Sequence, residues 1–231
     1  MSSVTQYSEL MVRTGSWDWD RVSDTFWSDP SEDVYYLLHR WTGQTHRSIL
    51  DLGCGLGRHS LLFAVHGFDV TALDASESGL RRLEAIAAKR GLSVHTVHAD
   101  LTRLPFDAGS FDFVLAYHSI YHVDSEGMAA AMDELHRILK PASEVYLTLN
   151  SKTNPTYADP GNRVVDDHVR LKPEEDGGIL PHYYCDLSDV HKLLYRFRII
   201  KLRHIEDVYA ERSSWHYFVL AAHAEPQRPG K

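Results

Sequence analysis

The sequence predicts an α/β fold: a doubly wound, mostly parallel seven-stranded sheet with an antiparallel last strand and helices on both faces. Three observations carry this expectation. A short apolar strand, Ile49–Leu52, runs into Gly53, Gly55 and Gly57, and a helical pattern then begins at Arg58, His59, Ser60, Leu61 and Leu62. From Ser48 onward strand-like and helix-like segments alternate, which demands a parallel sheet covered on both sides. The last two strand patterns are joined by a short connection without helical periodicity, so the closing strand runs antiparallel.

Taken in order, the strand patterns lie at Ser48–Leu52, Asp69–Leu73, Ser93–Val97, Phe111–Tyr117, Glu144–Leu149, Phe197–Arg203 and Trp215–Ala222. Between them, Leu80, Leu83, Ile86 and Ala87 form one helical stripe closed by Gly91. Met128, Ala131, Met132, Leu135 and Leu139 form another, stopped by Pro141. A further helix is expected over Asp186–Tyr195, preceded by the aromatic and histidine segment Pro181–Tyr184, which reads as a staple of loop onto sheet or, alternatively, as a segment near the substrate mouth.

Two stretches fall outside the alternation. Residues 1–45 form an aromatic N-terminal cap with Trp17, Trp19, Phe26, Trp27, Tyr35, Tyr36 and Trp41, and a helix there is expected to start with Asp29 as N-cap, Pro30 at N1 and Glu32 at N3. Residues 150–181 carry Asn154-Pro155, Asp159-Pro160-Gly161 and Gly177-Gly178 and read as a loop insertion near the substrate side. The tail from Glu225 is expected to fray.

At 231 residues the chain suits one domain with a full core and leaves no room for a second large one. Its 43% hydrophobic and 24% charged residues suit an enzyme or a binding module equally. No apolar run approaches the about 18 residues of a membrane span. The opening Met1–Glu9 has neither a basic head nor an apolar core, and two cysteines, Cys54 and Cys185, imply no disulfide framework; both point to the cytoplasm. A formal charge of −8 repels a phosphate backbone. The one basic cluster, Arg196, Arg198, Lys201 and Arg203, sits on a strand and reads as a solvated sheet edge.

The glycine spacing narrows the ligand. A dinucleotide fingerprint needs Gly-x-Gly-x-x-Gly, but counting from Gly53 puts Arg58 in the third position and counting from Gly55 puts Ser60 there. The pattern Asp51-x-Gly53-x-Gly55-x-Gly57 instead resembles motif I of the class I methyltransferases that bind S-adenosylmethionine. The likeness continues in order through Asp74 after the second strand, Asp100 after the third and Phe111–Tyr117 as motif IV. It runs on through Leu135–Pro141, where the family's Pro-Gly-Gly turn is replaced by Pro141-Ala142-Ser143.

What the resemblance implies is S-adenosylmethionine as cofactor and methyl transfer to a small-molecule acceptor by in-line displacement, releasing S-adenosylhomocysteine. Asp51, Gly53, Cys54, Gly55 and Gly57 would hold the methionine end, Asp74 and Ala75 the ribose, and Asp100 and Leu101 the adenine. Tyr117 would touch both cofactor and acceptor. Tyr117, His118 and His122, with Tyr121 beside them, are the candidate catalytic floor, because a neutral imidazole accepts protons near neutral pH. His118 and His122 read equally well as packing residues, and Arg58 as a structural pair for a carboxylate. No metal site is expected: only His118 and His122 approach ligand spacing, while His95 and His98 point to opposite sides of a strand. Methylation of RNA or protein, or a non-catalytic S-adenosylmethionine-binding partner or sensor, remain the alternatives; nucleic acid and membrane partners are disfavoured by the charge and hydropathy.

Overall fold

The computed structural model describes residues 16–22, 28–209 and 212–224. The expectations for Phe26, Trp27 and the tail from Glu225 lie outside these residues. Helix α1 spans Glu32–Thr42, followed by β1 (Ser48–Leu52), α2 (Arg58–Val65), β2 (Asp69–Asp74), α3 (Glu77–Arg90) and β3 (His95–His98). Then come β4 (Phe111–Ala116), α4 (Ser125–Ile138), β5 (Leu139–Ser151), α5 (Pro155–Ala158), β6 (Arg163–Val164), β7 (Val169–Pro173) and β8 (Ile179–Cys185). Helix α6 (Leu187–Leu193) and the hairpin β9 (Phe197–Tyr209) and β10 (Arg212–His223) complete the order.

Strands β3, β2, β1, β4 and β5 pair in parallel in that order. Strand β10 enters antiparallel between β5 and β9 and closes the sheet. Side chains alternate across it with the period of two that a strand imposes. Leu50 and Leu52 of β1 and Val114 and Ala116 of β4 face α4 and α6, whereas Ile49, Phe113 and Leu115 face α1 and α2. The sheet is therefore wound on both faces, as the fold class requires.

Among the described residues the strands number ten rather than seven. The seven expected strands all stand in the main sheet, and the three others form an antiparallel meander, β6-β7-β8, inside the stretch read as a loop insertion over residues 150–181. Strand β8 joins the meander to the end of β5 through Asn150 beside Tyr184 and Ser151 beside Cys185. Pro181, which reads as a breaker, sits within β8 opposite Leu171, and the segment Pro181–Tyr184 is strand. Proline is tolerated where no ladder bond needs its missing N–H.

The start of α1 also differs from expectation. Its N-cap is Ser31 rather than Asp29. Asp29 instead offers its backbone carbonyl to Arg58 at 3.1 Å. Helix α3 ends as expected on Gly91 in the left-handed region (φ 65), and α4 gives way at Leu139, which already belongs to β5. Ala142 takes φ 63 where the family turn carries glycine, a left-handed conformation that costs a residue with a Cβ about 1–2 kcal/mol.

Within the N-terminal cap, Trp41 belongs to the core. It is fully buried, stacks between Phe113 (4.7 Å) and Phe63 (5.6 Å), and donates Nε1–H to Glu144 at 2.9 Å. Tyr35 and Tyr36 face outward, and Lys201 lies over the Tyr36 ring. Arg196 pairs with Asp133 and Arg203 with Asp33, so the basic run along the edge strand β9 is matched by carboxylates on neighbouring elements.

Candidate active site

Strands β1, β2 and β4 end side by side, and their carboxyl ends open into one cleft. In open α/β sheets this is where ligands collect. The floor is the turn Gly53–Gly57, with φ 72, 55 and 75 at its three glycines. These left-handed values favour residues without a Cβ. At Gly53 space enforces the choice as well, because a Cβ there would lie 2.3 Å from the Cβ of Ser119. The Leu73 carbonyl accepts from the N–H of Gly53 (2.7 Å) and of Cys54 (3.1 Å), which ties the turn to β2.

Asp74, the last residue of β2, faces this turn. Its Oδ2 accepts from Gly55 N–H at 2.7 Å and its Oδ1 from Ser76 N–H at 2.8 Å. Burial raises its pKa against the pull of these donors. Ser76, not Asp74, caps α3, its Oγ accepting from Gly79 N–H. Ala75, Asp100 and Leu101 line the same wall, and Asp100 Oδ1 accepts from the backbone and hydroxyl of Thr102, both at 2.7 Å. Asp51 lies under the turn, where Ser60 Oγ donates to it at 2.6 Å; burial pushes it up to about 6. Burial likewise pushes up the Cys54 thiol, which lines the floor as a small filler.

The opposite wall comes from the end of β4. Tyr117, His118 and His122 all line the cleft. Burial pushes Tyr117 up to about 12, and its ring meets His59 edge-on at 5.0 Å. His118 holds φ 51, its N–H donating to Thr148 Oγ1 at 2.6 Å and its Nδ1 standing 3.1 Å from the Tyr121 hydroxyl. Burial drives the pKa of His118 far down and that of His122 to about 3, so both rings are neutral. Arg58 reaches across from α2 to within 5.9 Å of the Tyr117 ring centre.

A strap from the N-terminal aromatic cap covers the cleft. Trp17 and Trp19 stack at 5.6 Å, and Trp17 meets His122 edge-on at 6.4 Å. The strap is pinned by Ser76 Oγ donating to the Trp17 carbonyl (2.5 Å), Trp19 N–H donating to Ser78 Oγ (2.9 Å) and Arg82 donating to the Trp19 carbonyl (2.7 Å). Its far side is held by Asp18 N–H donating to Asp176 Oδ2 at 2.8 Å. The signal was the tryptophan pair itself; the partners, scattered serines and an aspartate, carry none. Among the described residues no group of three or more His, Cys, Asp or Glu could hold a metal ion, and no helix is long and apolar enough to cross a membrane.

Known proteins share this fold. Residues 49–142 match the model of a methyltransferase domain family. Malonyl-[acyl-carrier protein] O-methyltransferase of Salmonella typhimurium is 36% identical over 112 residues, 48% of this chain and 42% of the relative. Ubiquinone biosynthesis O-methyltransferase of Pseudomonas aeruginosa is 28% identical over 147 residues, 60% of each protein. The chain thus matches about half the length of these curated relatives. An S-adenosylmethionine-dependent methyltransferase of Methanosarcina mazei superposes with a TM-score of 0.70 at 23% identity, over 85% of this chain and 99% of that one, a likeness of fold. Residues 49–142 thus carry a methyltransferase domain, set in the fold of the S-adenosylmethionine-dependent methyltransferases.

Proposed function

We propose that the chain transfers a methyl group from S-adenosylmethionine to a small-molecule acceptor. The observation that carries this is the bond from Gly55 N–H to Asp74 Oδ2, which locks the glycine turn to the acid closing β2 in one cleft with Asp100 and Leu101. The residues present fit the cofactor. Three left-handed glycines keep the turn free of side chains, and each Asp74 oxygen, already accepting one backbone bond, has a second lone pair for a ribose hydroxyl. Asp100 and Leu101 N–H suit the adenine edge, and Asp51 with the turn suits the methionine ammonium.

When bound, S-adenosylmethionine supplies a methyl group on a positively charged sulfur, already activated for displacement. The chain's own part is alignment and exclusion of water. Tyr117, His118 and His122 form the wall against which an acceptor would lie, and the Trp17–Trp19 strap closes the cleft from outside. Aromatic walls and neutral histidines suit a small organic acceptor better than a polyanion. The O-methyltransferase relatives, which act on small or carrier-bound molecules by their names, support the same class.

A methyl-transfer screen over metabolite pools, RNA and protein, read by labelled methyl incorporation, tests the proposal. We expect incorporation into small metabolites only. Incorporation confined to RNA or protein would move the acceptor class, and cofactor binding without any turnover would make the chain a sensor or silent partner.

A further inference from the structure

The meander that sequence reasoning missed brings a second histidine against the catalytic wall. His182 on β8 is buried, and its ring meets that of His122 at 4.6 Å and 88°. Its Nε2 lies 2.7 Å from Oε1 of Glu174, itself buried at the end of β7. Lys172 Nζ stands 3.1 Å from the same oxygen, so the carboxylate is the accepting partner and Nε2 of His182 carries the proton. A buried carboxylate held between a lysine and an imidazole orients that imidazole firmly.

His122 is held differently. Its Nδ1 is buried without a well-aligned hydrogen-bond partner, so ring packing fixes it: His182 on one side, Tyr121 (4.7 Å) and Trp17 on others. With Nδ1 sealed off, Nε2 is the ring nitrogen through which His122 can deal with a ligand. No carboxylate or lysine of the described residues joins Tyr117, His118 and His122 on this wall, and Arg58 lines the same cleft. A cationic amine acceptor would find its carboxylates across the cleft, at Asp74 and Asp100, and not on this wall. A hydroxyl would find a neutral hydrogen-bond acceptor in Nε2, which can fix where its oxygen lone pair points.

We infer that Glu174 and His182 are a positioning pair for His122, and that His122 Nε2 accepts the hydrogen bond of a hydroxyl acceptor and so aims its oxygen; the inference rests on the methyl-transfer reading above. An oxygen lone pair bonds the methyl carbon while the S–C pair stays on sulfur, and the methylated oxygen gives its proton to solvent as product leaves.

The test uses the full chain labelled with ¹⁵N-histidine, with ring tautomers read by long-range ¹H–¹⁵N correlation and His122 assigned through His122→Gln. In the wild type, His182 should be a single Nε2–H tautomer and His122 a single tautomer as well. Glu174→Gln and His182→Leu should each split or broaden the His122 signals while leaving His136, packed on Phe197 at the far end of α4, unchanged. Unmoved His122 signals in both variants would overturn the pairing. Should His182→Leu fail to fold, the same-sized Glu174→Gln decides alone.

Assays of the wild type against a panel of phenols and of primary amines test the acceptor. Turnover with phenols is expected, and Glu174→Gln should lower kcat about 10- to 100-fold with KM held within about twofold. Turnover confined to amines, or none with any hydroxyl, would overturn the acceptor assignment. Calorimetry with S-adenosylhomocysteine on the same samples separates the two readings: a wild type that fails to bind it sinks the methyltransferase proposal, while the tautomer result still judges the pair.

Discussion

At the scale of single residues, the two buried acids of the glycine turn make opposite predictions. Asp74 accepts two backbone bonds and retains lone pairs for a ligand. Asp74→Ala should lose hydrogen bonds worth about 1.5–3 kcal/mol, weakening S-adenosylhomocysteine roughly 10- to 100-fold by calorimetry. An unchanged affinity in the folded variant would make Asp74 a brace only. Asp51 is instead a stability cost in the free chain. Burial raises its pKa from the ordinary 3.8 to about 6, so the folded state binds the proton more tightly than the unfolded state. Stability is then greatest below about pH 4 and falls as pH rises toward about 6; at 1.36 kcal/mol per pH unit the loss is on the order of 3 kcal/mol. Urea unfolding of wild type against Asp51→Asn should show the wild type gaining by that order between pH 7 and pH 4. A difference independent of pH would contradict the burial of the charge.

At the scale of elements, the aromatic N-terminus divides in two. Trp41 on α1 is buried between Phe63 and Phe113, whereas Trp17 and Trp19 lie on the cleft and are held by polar bonds to α3 and the β7–β8 turn. Deleting Met1–Thr25 should therefore leave the far-UV circular dichroism of a folded chain, weaken cofactor binding and reduce methyl transfer more than binding. Global unfolding would place the strap in the core, and full activity would remove it from the site. Sequence could list these tryptophans but not sort them, because what separates them is contact with Glu144 or with Ser76, residues far along the chain. The same limit explains the N-cap of α1: Asp29 and Ser31 both satisfy the local pattern, and the tie is broken by Arg58 reaching the Asp29 carbonyl.

At the scale of the whole molecule, the seven strands of the main sheet were legible because the apolar runs of β1, β4 and β5, buried on both faces, alternate with helical stripes and so mark the weaker strands around them. The meander was not: β6 has two residues, and Pro173 and Pro181 interrupt the patterns of β7 and β8. The cofactor wall was legible for a related reason. Its glycines and acids sit at fixed places after β1, β2 and β3, so local order encodes it, and Asp51, Asp74 and Asp100 fall where the resemblance implied. Glu174 and His182, which come to the acceptor wall through a tertiary fold-back, have no such local signature. The central claim, that this cleft is built for S-adenosylmethionine and not a dinucleotide, is tested most directly by calorimetric titration of the full chain with S-adenosylhomocysteine and, separately, with NAD. The account predicts saturable binding of S-adenosylhomocysteine and none of NAD; binding of NAD with no response to S-adenosylhomocysteine would contradict it.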